Sequence, residues 1–338
     1  IRDLVRSRGL GDVYKRQVCE SVGLRVMRVE QLGGCSMGLE RVVAVINGKG
    51  GVGKTSLVAN LAGEFAASGG MRVLVVDLDV SRNLVLDFGL VGHEEDDQGR
   101  GVFQAIVGGD TLGVVPEIRD HIDWIPGGAA LNWISHAKLS QEQDLVPGGV
   151  DVRWRELLTQ AAQGYDMVLL DCPPGNRQLQ EMALAAAKWL LVPSKSDAAS
   201  WEGLTTLGPL VRNARERINP DIEWLGVVLF AHQSKATRVR RAMSEQLEGS
   251  TIPFLQNAIR ASESVAQECR ARGLLVREVV AAAPTQGEVF AALRARRHDP
   301  QALIPKAAST ISTSLAEDYR ALAEEIADKI LEAEGIKG

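Results

Sequence analysis

Two lysines stand inside one glycine-rich stretch, VINGKGGVGKTS, at residues 45–56. The Gly48-x-x-x-x-Gly53-Lys54-Thr55 spacing within it is that of a phosphate-binding loop. Glycines let successive backbone N–H groups turn toward phosphate oxygens, and a helix starting at the end of the loop adds its positive dipole end. Gly48, Lys49, Gly50, Gly51, Val52, Gly53, Lys54, Thr55 and Ser56 are therefore the candidate nucleotide-binding residues. Lys54 is long enough to reach β- and γ-phosphates, and the Thr55 hydroxyl is a candidate Mg²⁺ ligand. Lys49 has no task in such a loop taken by itself.

A cation beside phosphates needs acidic residues from a neighbouring strand. The segment YDMVLLDCPPG (165–175) places Asp171 after four apolar residues, and RVLVVDLD (72–79) ends in Asp77 and Asp79. Open α/β sheets bind ligands at the carboxyl ends of their strands, where these acids fall. A carboxylate buried there is costly unless it serves a cation or a hydrogen-bond network. The alternative for each aspartate is a turn or helix N-cap role. Thr55, Asp171 and Asp77 are the candidate metal ligands, and Lys54 is a candidate catalytic residue.

The elements that must position these residues are legible in the hydrophobic pattern. Runs at 41–47, 72–79, 167–171, 189–194 and 224–230 are continuously apolar, as expected of strands covered on both faces. Between the first two, Leu57, Leu61 and Phe65 recur at helical spacing before Gly69–Gly70. Strand, glycine loop, helix and strand make a βαβ unit. The expected fold is α/β of the P-loop NTPase kind, a mostly parallel twisted sheet with helices on both faces. Near the end, Leu315, Tyr319, Leu322, Ile326 and Ile330 mark an amphipathic helix. Residues 91–101 and 140–150 read as exposed loops, and neither divides the chain.

In this order KGGVGKTS, VVDLD, YDMVLLDCPP and VPSKSDAASWEGL resemble the deviant Walker ATPases of the ParA/MinD family, from about Arg41 to the end of the chain. The resemblance implies ATP and Mg²⁺ as cofactors. It implies that Lys49 reaches phosphates bound by the other subunit of an ATP-dependent homodimer, that Asp79 helps position the attacking water, and that Asp171 acts on Mg²⁺ through water. One departure stands beside Asp79. Partition ATPases usually read D-P-Q-G-N there, whereas this chain reads Asp79-Val80-Ser81-Arg82-Asn83, which leaves the hydrolysis rate open.

Within the family, paired interface cysteines would indicate metal-cluster carriers. Cys19, Cys35, Cys172 and Cys269 form no CxxC pair, and the last two read as core residues. Three tyrosines do not make the terminal cluster of the related kinases. Segment 315–338 carries seven acids against three bases, the wrong balance for a helix that inserts among anionic lipids, so no membrane partner is expected. Between residues 235 and 297 there are eleven Lys/Arg and six Asp/Glu in a chain of net charge −5. Similarity to the family puts Arg260 at the place of a DNA-contacting arginine and Lys235 where the family often has a basic residue, and Arg238, Arg240 and Arg241 lie in the same basic run as Lys235. Such residues give salt-dependent, sequence-independent binding; the alternative is that they are simply solvated.

The expected function is an ATP-dependent plasmid or chromosome partitioning ATPase. It would dimerise on ATP, bind DNA non-specifically and be released on hydrolysis stimulated by a ParB-like centromere-binding protein. The expected location is the cytoplasm, on the nucleoid. A positioning ATPase for a protein cargo and a nucleotide-switched scaffold with weak hydrolysis are the alternatives. No apolar run approaches the roughly 18–20 residues of a spanning helix. Residues 1–17 read as a translated sequencing adapter: DVYKRQ and SRGLG match its reading frame. With 18–36 they form an expected non-native or disordered segment ahead of a start at Met37. Their seven bases and four acids leave −8 on the single ATPase domain expected over 37–338.

Overall fold

Four of the five apolar runs become strands with every residue buried: β1 (Val42–Val45), β2 (Val73–Asp77), β5 (Met167–Asp171) and β6 (Trp189–Ser194). The fifth is the longer β7 (Glu223–His232), exposed at its start and buried in its middle. The computed structural model describes residues 38–68, 70–139, 148–195, 198–232, 249–284 and 309–336, with isolated positions between them. Three further strands complete the sheet: β3 (Val115–Arg119), β4 (Ile122–Ile125) and the two-residue β8 (Ile259–Arg260).

The order across the sheet is β3-β4-β2-β5-β1-β6-β7-β8. Every neighbouring pair is parallel except β3 with β4. The antiparallel hairpin at the edge is the part that the apolar pattern does not announce. Its outer strand carries Pro116 and is only partly buried, as a sheet edge tolerates.

Successive strand residues point to opposite faces, so each strand serves two cores. Val42, Ala44, Leu74, Val76, Val168 and Leu170 pack with Trp154, Leu179 and Leu207 on one side. Val43, Val45, Val73, Val75 and Leu169 pack with Leu57, Phe65, Leu322 and Ile326 on the other. The first layer is built from helices α3 (Arg100–Gly108), α4 (Leu131–Leu139), α5 (Val150–Ala161), α6 (Arg177–Ala186) and α7 (Ala198–Arg217). The second holds α1 (Lys54–Ala67), α2 (Asn83–Asp87), α8 (Glu263–Arg272), α9 (Val276–Ala281) and α10 (Thr310–Ala333). This is the α/β arrangement expected, with helices on both faces.

All five apolar positions anticipated in the last helix are buried in α10. Its first turn is capped by Ser309, whose hydroxyl oxygen accepts the Ser312 N–H at 3.0 Å. Its far end is tied to the first strand, where the Arg41 guanidinium makes two 2.6 Å bonds to Glu334. Of the anticipated loops, residues 91–99 carry neither helix nor strand, and α3 begins at Arg100. Most of 140–149 lies outside the described residues. Among the described residues, no helix is long and apolar enough to cross a membrane.

Candidate functional site

Because β5 lies between β1 and β2, its register sets Asp171 beside Val45 on one side and Asp77 on the other. The glycine loop leaves β1 at that same edge and delivers the chain into α1. Gly53 caps α1 with a left-handed φ of 91°, and a Cβ there would overlap the Phe230 ring. Only glycine satisfies both demands. Asn47 braces the start of the loop: its Oδ1 accepts the Lys49 N–H at 2.9 Å and its Nδ2 donates to the Pro193 carbonyl at 2.8 Å.

The two lysines occupy different environments. Lys54 is buried, and its ammonium donates to the Lys49 carbonyl at 3.0 Å across the loop. Burial holds its pKa below the ordinary lysine value, and Asp171 nearby pulls the other way. Lys49 is half-exposed. The first N–H groups of α1, on Lys54, Thr55 and Ser56, have no acceptor within the helix by its geometry, so they face the loop as donors. The Ser56 hydroxyl donates to Asp87 Oδ2 at 2.9 Å, which leaves its backbone N–H as its contribution to a phosphate.

Asp77 and Asp171 are fully buried. Asp77 Oδ1 accepts the Asp79 N–H at 2.8 Å, while Asp77 Oδ2 and both oxygens of Asp171 have no hydrogen-bond partner. The Thr55 side chain lies beside Asp171. Burial pushes both carboxyls above the ordinary range. Asp171 raises Asp77 further, while Thr55 and Lys54 oppose the rise at Asp171. Orphaned buried carboxylate oxygens are rare and costly, and a hard divalent cation is the partner that relieves them. Thr55, Asp77 and Asp171 form an all-oxygen set that fits Mg²⁺. Among the described residues no group of three or more His, Cys, Asp or Glu side chains stands ready to hold an ion. A magnesium here would therefore complete its shell with phosphate and water oxygens, as that ion commonly does.

Asp79 is also buried, and its Oδ1 accepts from Ser81 twice, from N–H at 2.9 Å and from Oγ at 2.7 Å. Ser81, Asn47, Phe230 and Asp87 support the site, yet the motifs do not name them. Ser81 lies in the Val80-Ser81-Arg82 departure noted beside Asp79, and the place of Asn47 immediately before Gly48 is a signal that could have found it.

The basic residues behave less simply. Arg260 is gripped by Asp318 of α10, which accepts from its Nε at 2.6 Å, its Nη2 at 2.8 Å and its backbone N–H at 3.0 Å. Arg241 is exposed and pairs with Glu245 at 2.7 Å. Lys235, Arg238 and Arg240 lie outside the described residues. Arg270 is held by Asp87 at 2.7 Å and Arg272 by Glu268 at 3.1 Å. Cys172 and Cys269 are buried in the opposite layers of the core, as expected of packing residues.

A strand-loop-helix phosphate cradle with two strand-end aspartates defines a P-loop ATPase. A family described as an AAA domain matches residues 40–224. Over 221 residues the chain is 32% identical to the chromosome-partitioning ATPase Soj of Thermus thermophilus, covering 63% of this chain and 81% of Soj. Over 194 residues it is 32% identical to the sporulation initiation inhibitor protein Soj of Bacillus subtilis, covering 56% and 72%. The fold is shared with McdA of Cyanothece in complex with ATP, at a TM-score of 0.64 and 18% identity over 90% of this chain and 99% of that one. It is also shared with the cell division ATPase MinD of Pyrococcus furiosus, at 0.57 and 20% over 87% and 100%. The chain belongs to this AAA domain family and, within it, to the ParA/MinD P-loop ATPases.

Proposed function

We propose that this chain partitions DNA: it dimerises on ATP, binds DNA without sequence preference, and lets go after hydrolysis. The observation that carries the reading is the contrast between the two loop lysines. Lys54 lies buried under its own loop, whereas Lys49 sits half-exposed at the loop surface, where a second subunit's phosphates would meet it. Such an arrangement makes dimerisation depend on nucleotide. The surplus of bases between residues 235 and 297 supplies the DNA-binding part of the reading, and a relative described as a chromosome-partitioning ATPase supports the partitioning part.

In this reading residues 37–338 act as one ATPase domain. The loop amides and Lys54 hold the phosphates, while Thr55, Asp77 and Asp171 hold Mg²⁺. A magnesium held there would supply neutralisation of the phosphate charge, and the products of the reaction are ADP and phosphate. Asp79 orients the attacking water, and Lys49 brings further positive charge from the partner. Positioning and charge neutralisation are the main contributions such a site makes. A ParB-like protein bound at a centromere is the partner that stimulates the step, on the nucleoid in the cytoplasm.

The grip of Asp318 on Arg260 favours a second reading, in which DNA affinity is weak and the carried object is a protein cargo. DNA retention with ATP, with ADP and without nucleotide tests the choice. Retention with ATP alone supports partitioning, and equal retention in all three overturns the nucleotide-gated reading.

A further inference from the structure

We propose that Ser81 is a positioning residue for ATP hydrolysis, acting through Asp79. The inference rests on the reading of Asp79 as the residue that orients water. A carboxylate can rotate and offer either oxygen, and rotation would blur the direction in which it holds a water. Here one oxygen is fixed. Asp79 Oδ1 accepts both the hydroxyl and the backbone N–H of Ser81, at 2.7 and 2.9 Å. Among the described residues Asp79 Oδ2 has no donor, so it is the oxygen available to a water.

The Ser81 hydroxyl is itself directed. Asn83 Nδ2 donates to Ser81 Oγ at 3.0 Å, which occupies an acceptor site on that oxygen and leaves its hydrogen for Asp79. The other side of Asp79 is held as well, since its N–H donates to Asp77 Oδ1 at 2.8 Å. A chain of short bonds therefore runs from Asp77 through Asp79 and Ser81 to Asn83, the start of α2. The backbone of this loop passes through Arg82 at a left-handed φ of 56°, anchored by the ion pair of its guanidinium with Asp96. This position falls where partition ATPases usually carry the glycine of their Pro-Gln-Gly turn. Side chains of this chain fix the turn. Where such proteins usually read Pro-Gln-Gly, hydrogen-bonded side chains of this chain hold Asp79.

Hydrogen bonds to an ionised carboxylate are among the stronger ones, and loss of alignment at a reacting centre has large effects on rate. Ser81→Ala should lower kcat by about 10- to 100-fold. KM and the affinity for a fluorescent ATP analogue should stay within about twofold, because Ser81 acts on water orientation and not on ATP binding. Ser81→Thr, which keeps the hydroxyl, should recover most of the rate. In an Asp79→Asn background, the further change Ser81→Ala should have little additional effect, since the two residues act as one unit.

The experiment measures turnover and nucleotide affinity for these four variants beside the wild-type chain. Wild-type kcat in Ser81→Ala overturns the proposal, as does loss of nucleotide affinity in step with rate. Equal slowing by Ala and Thr overturns the role of the hydroxyl. If Asp79→Asn turns over at the wild-type rate, the reading of Asp79 fails and takes Ser81 with it. If Asp79→Asn is inactive while Ser81→Ala is unaffected, only the role of Ser81 fails.

Discussion

Lys49 and Lys54 are five residues apart, yet the chain gives them unlike surroundings. Lys54 lies under the loop, desolvated and within the fields of Asp171 and Asp79, and in the proposed reading its charge serves phosphates bound in the same subunit. Removing it leaves the buried acids without their cation. Lys54→Ala should weaken ATP binding by roughly 100-fold, in line with the loss of charge-assisted bonds to phosphate. Lys49→Ala should bind ATP with near-normal affinity and fail to form the ATP-dependent dimer. Equilibrium nucleotide titration and light scattering with and without ATP separate the two. A Lys49→Ala chain that dimerises normally would remove the basis for the intermolecular role.

At the scale of elements, β8 and α10 show how a surface charge can be altered by a distant segment. Arg260 and Asp318 are far apart in sequence and meet only because α10 packs along the end of the sheet. A polyanion reaching Arg260 must compete with a bidentate carboxylate. Asp318→Asn should therefore raise DNA retention about two- to fivefold at low salt, with a salt slope steeper by about one counterion. Combined Arg240→Ala, Arg241→Ala and Arg260→Ala should lower DNA affinity for all sequences and flatten that slope, leaving ATP binding intact. Filter retention across a salt series reads both. No change in either variant would place the DNA surface elsewhere.

The whole molecule is closed on its second layer by α1, α9 and α10, which meet around Glu64. That carboxylate is buried and lies 3.5 Å from Arg277, with Arg320 and Glu324 of α10 also facing it. Burial raises its pKa from 4.5 to about 7, and the two arginines only partly oppose the shift. The sign follows directly. Between these values the unfolded chain has released the proton while the folded chain keeps it, so stability falls as pH rises from about 4.5 to 7 and is level above. The cost is at most about 3 kcal/mol. Urea denaturation at pH 5 and pH 8 should show a smaller loss of stability in Glu64→Gln than in the unaltered chain. Equal losses in both would locate the pH dependence in other groups.

The sequence by itself determined which residues are candidates for the chemistry of the site. A glycine loop between an apolar strand and a helix, followed by strands that each end in aspartate, can be read without coordinates because its parts are contiguous. The core strands were legible for a related reason: strands covered on both faces must be apolar throughout. The β3–β4 hairpin escaped because an edge strand answers to one neighbour and tolerates Pro116 and exposed positions. Ser81 escaped because a serine near a turn looks ordinary until its hydroxyl is seen on Asp79. The basic surplus was counted correctly, but counting along the chain does not reveal that Asp318, Asp87 and Glu64 arrive from other elements to meet Arg260, Arg270 and Arg277. Local spacing fixes which groups can do chemistry. Only tertiary packing decides which charges are left to do it, because Coulomb energy depends on distance in space and on burial, and neither is written in sequence order.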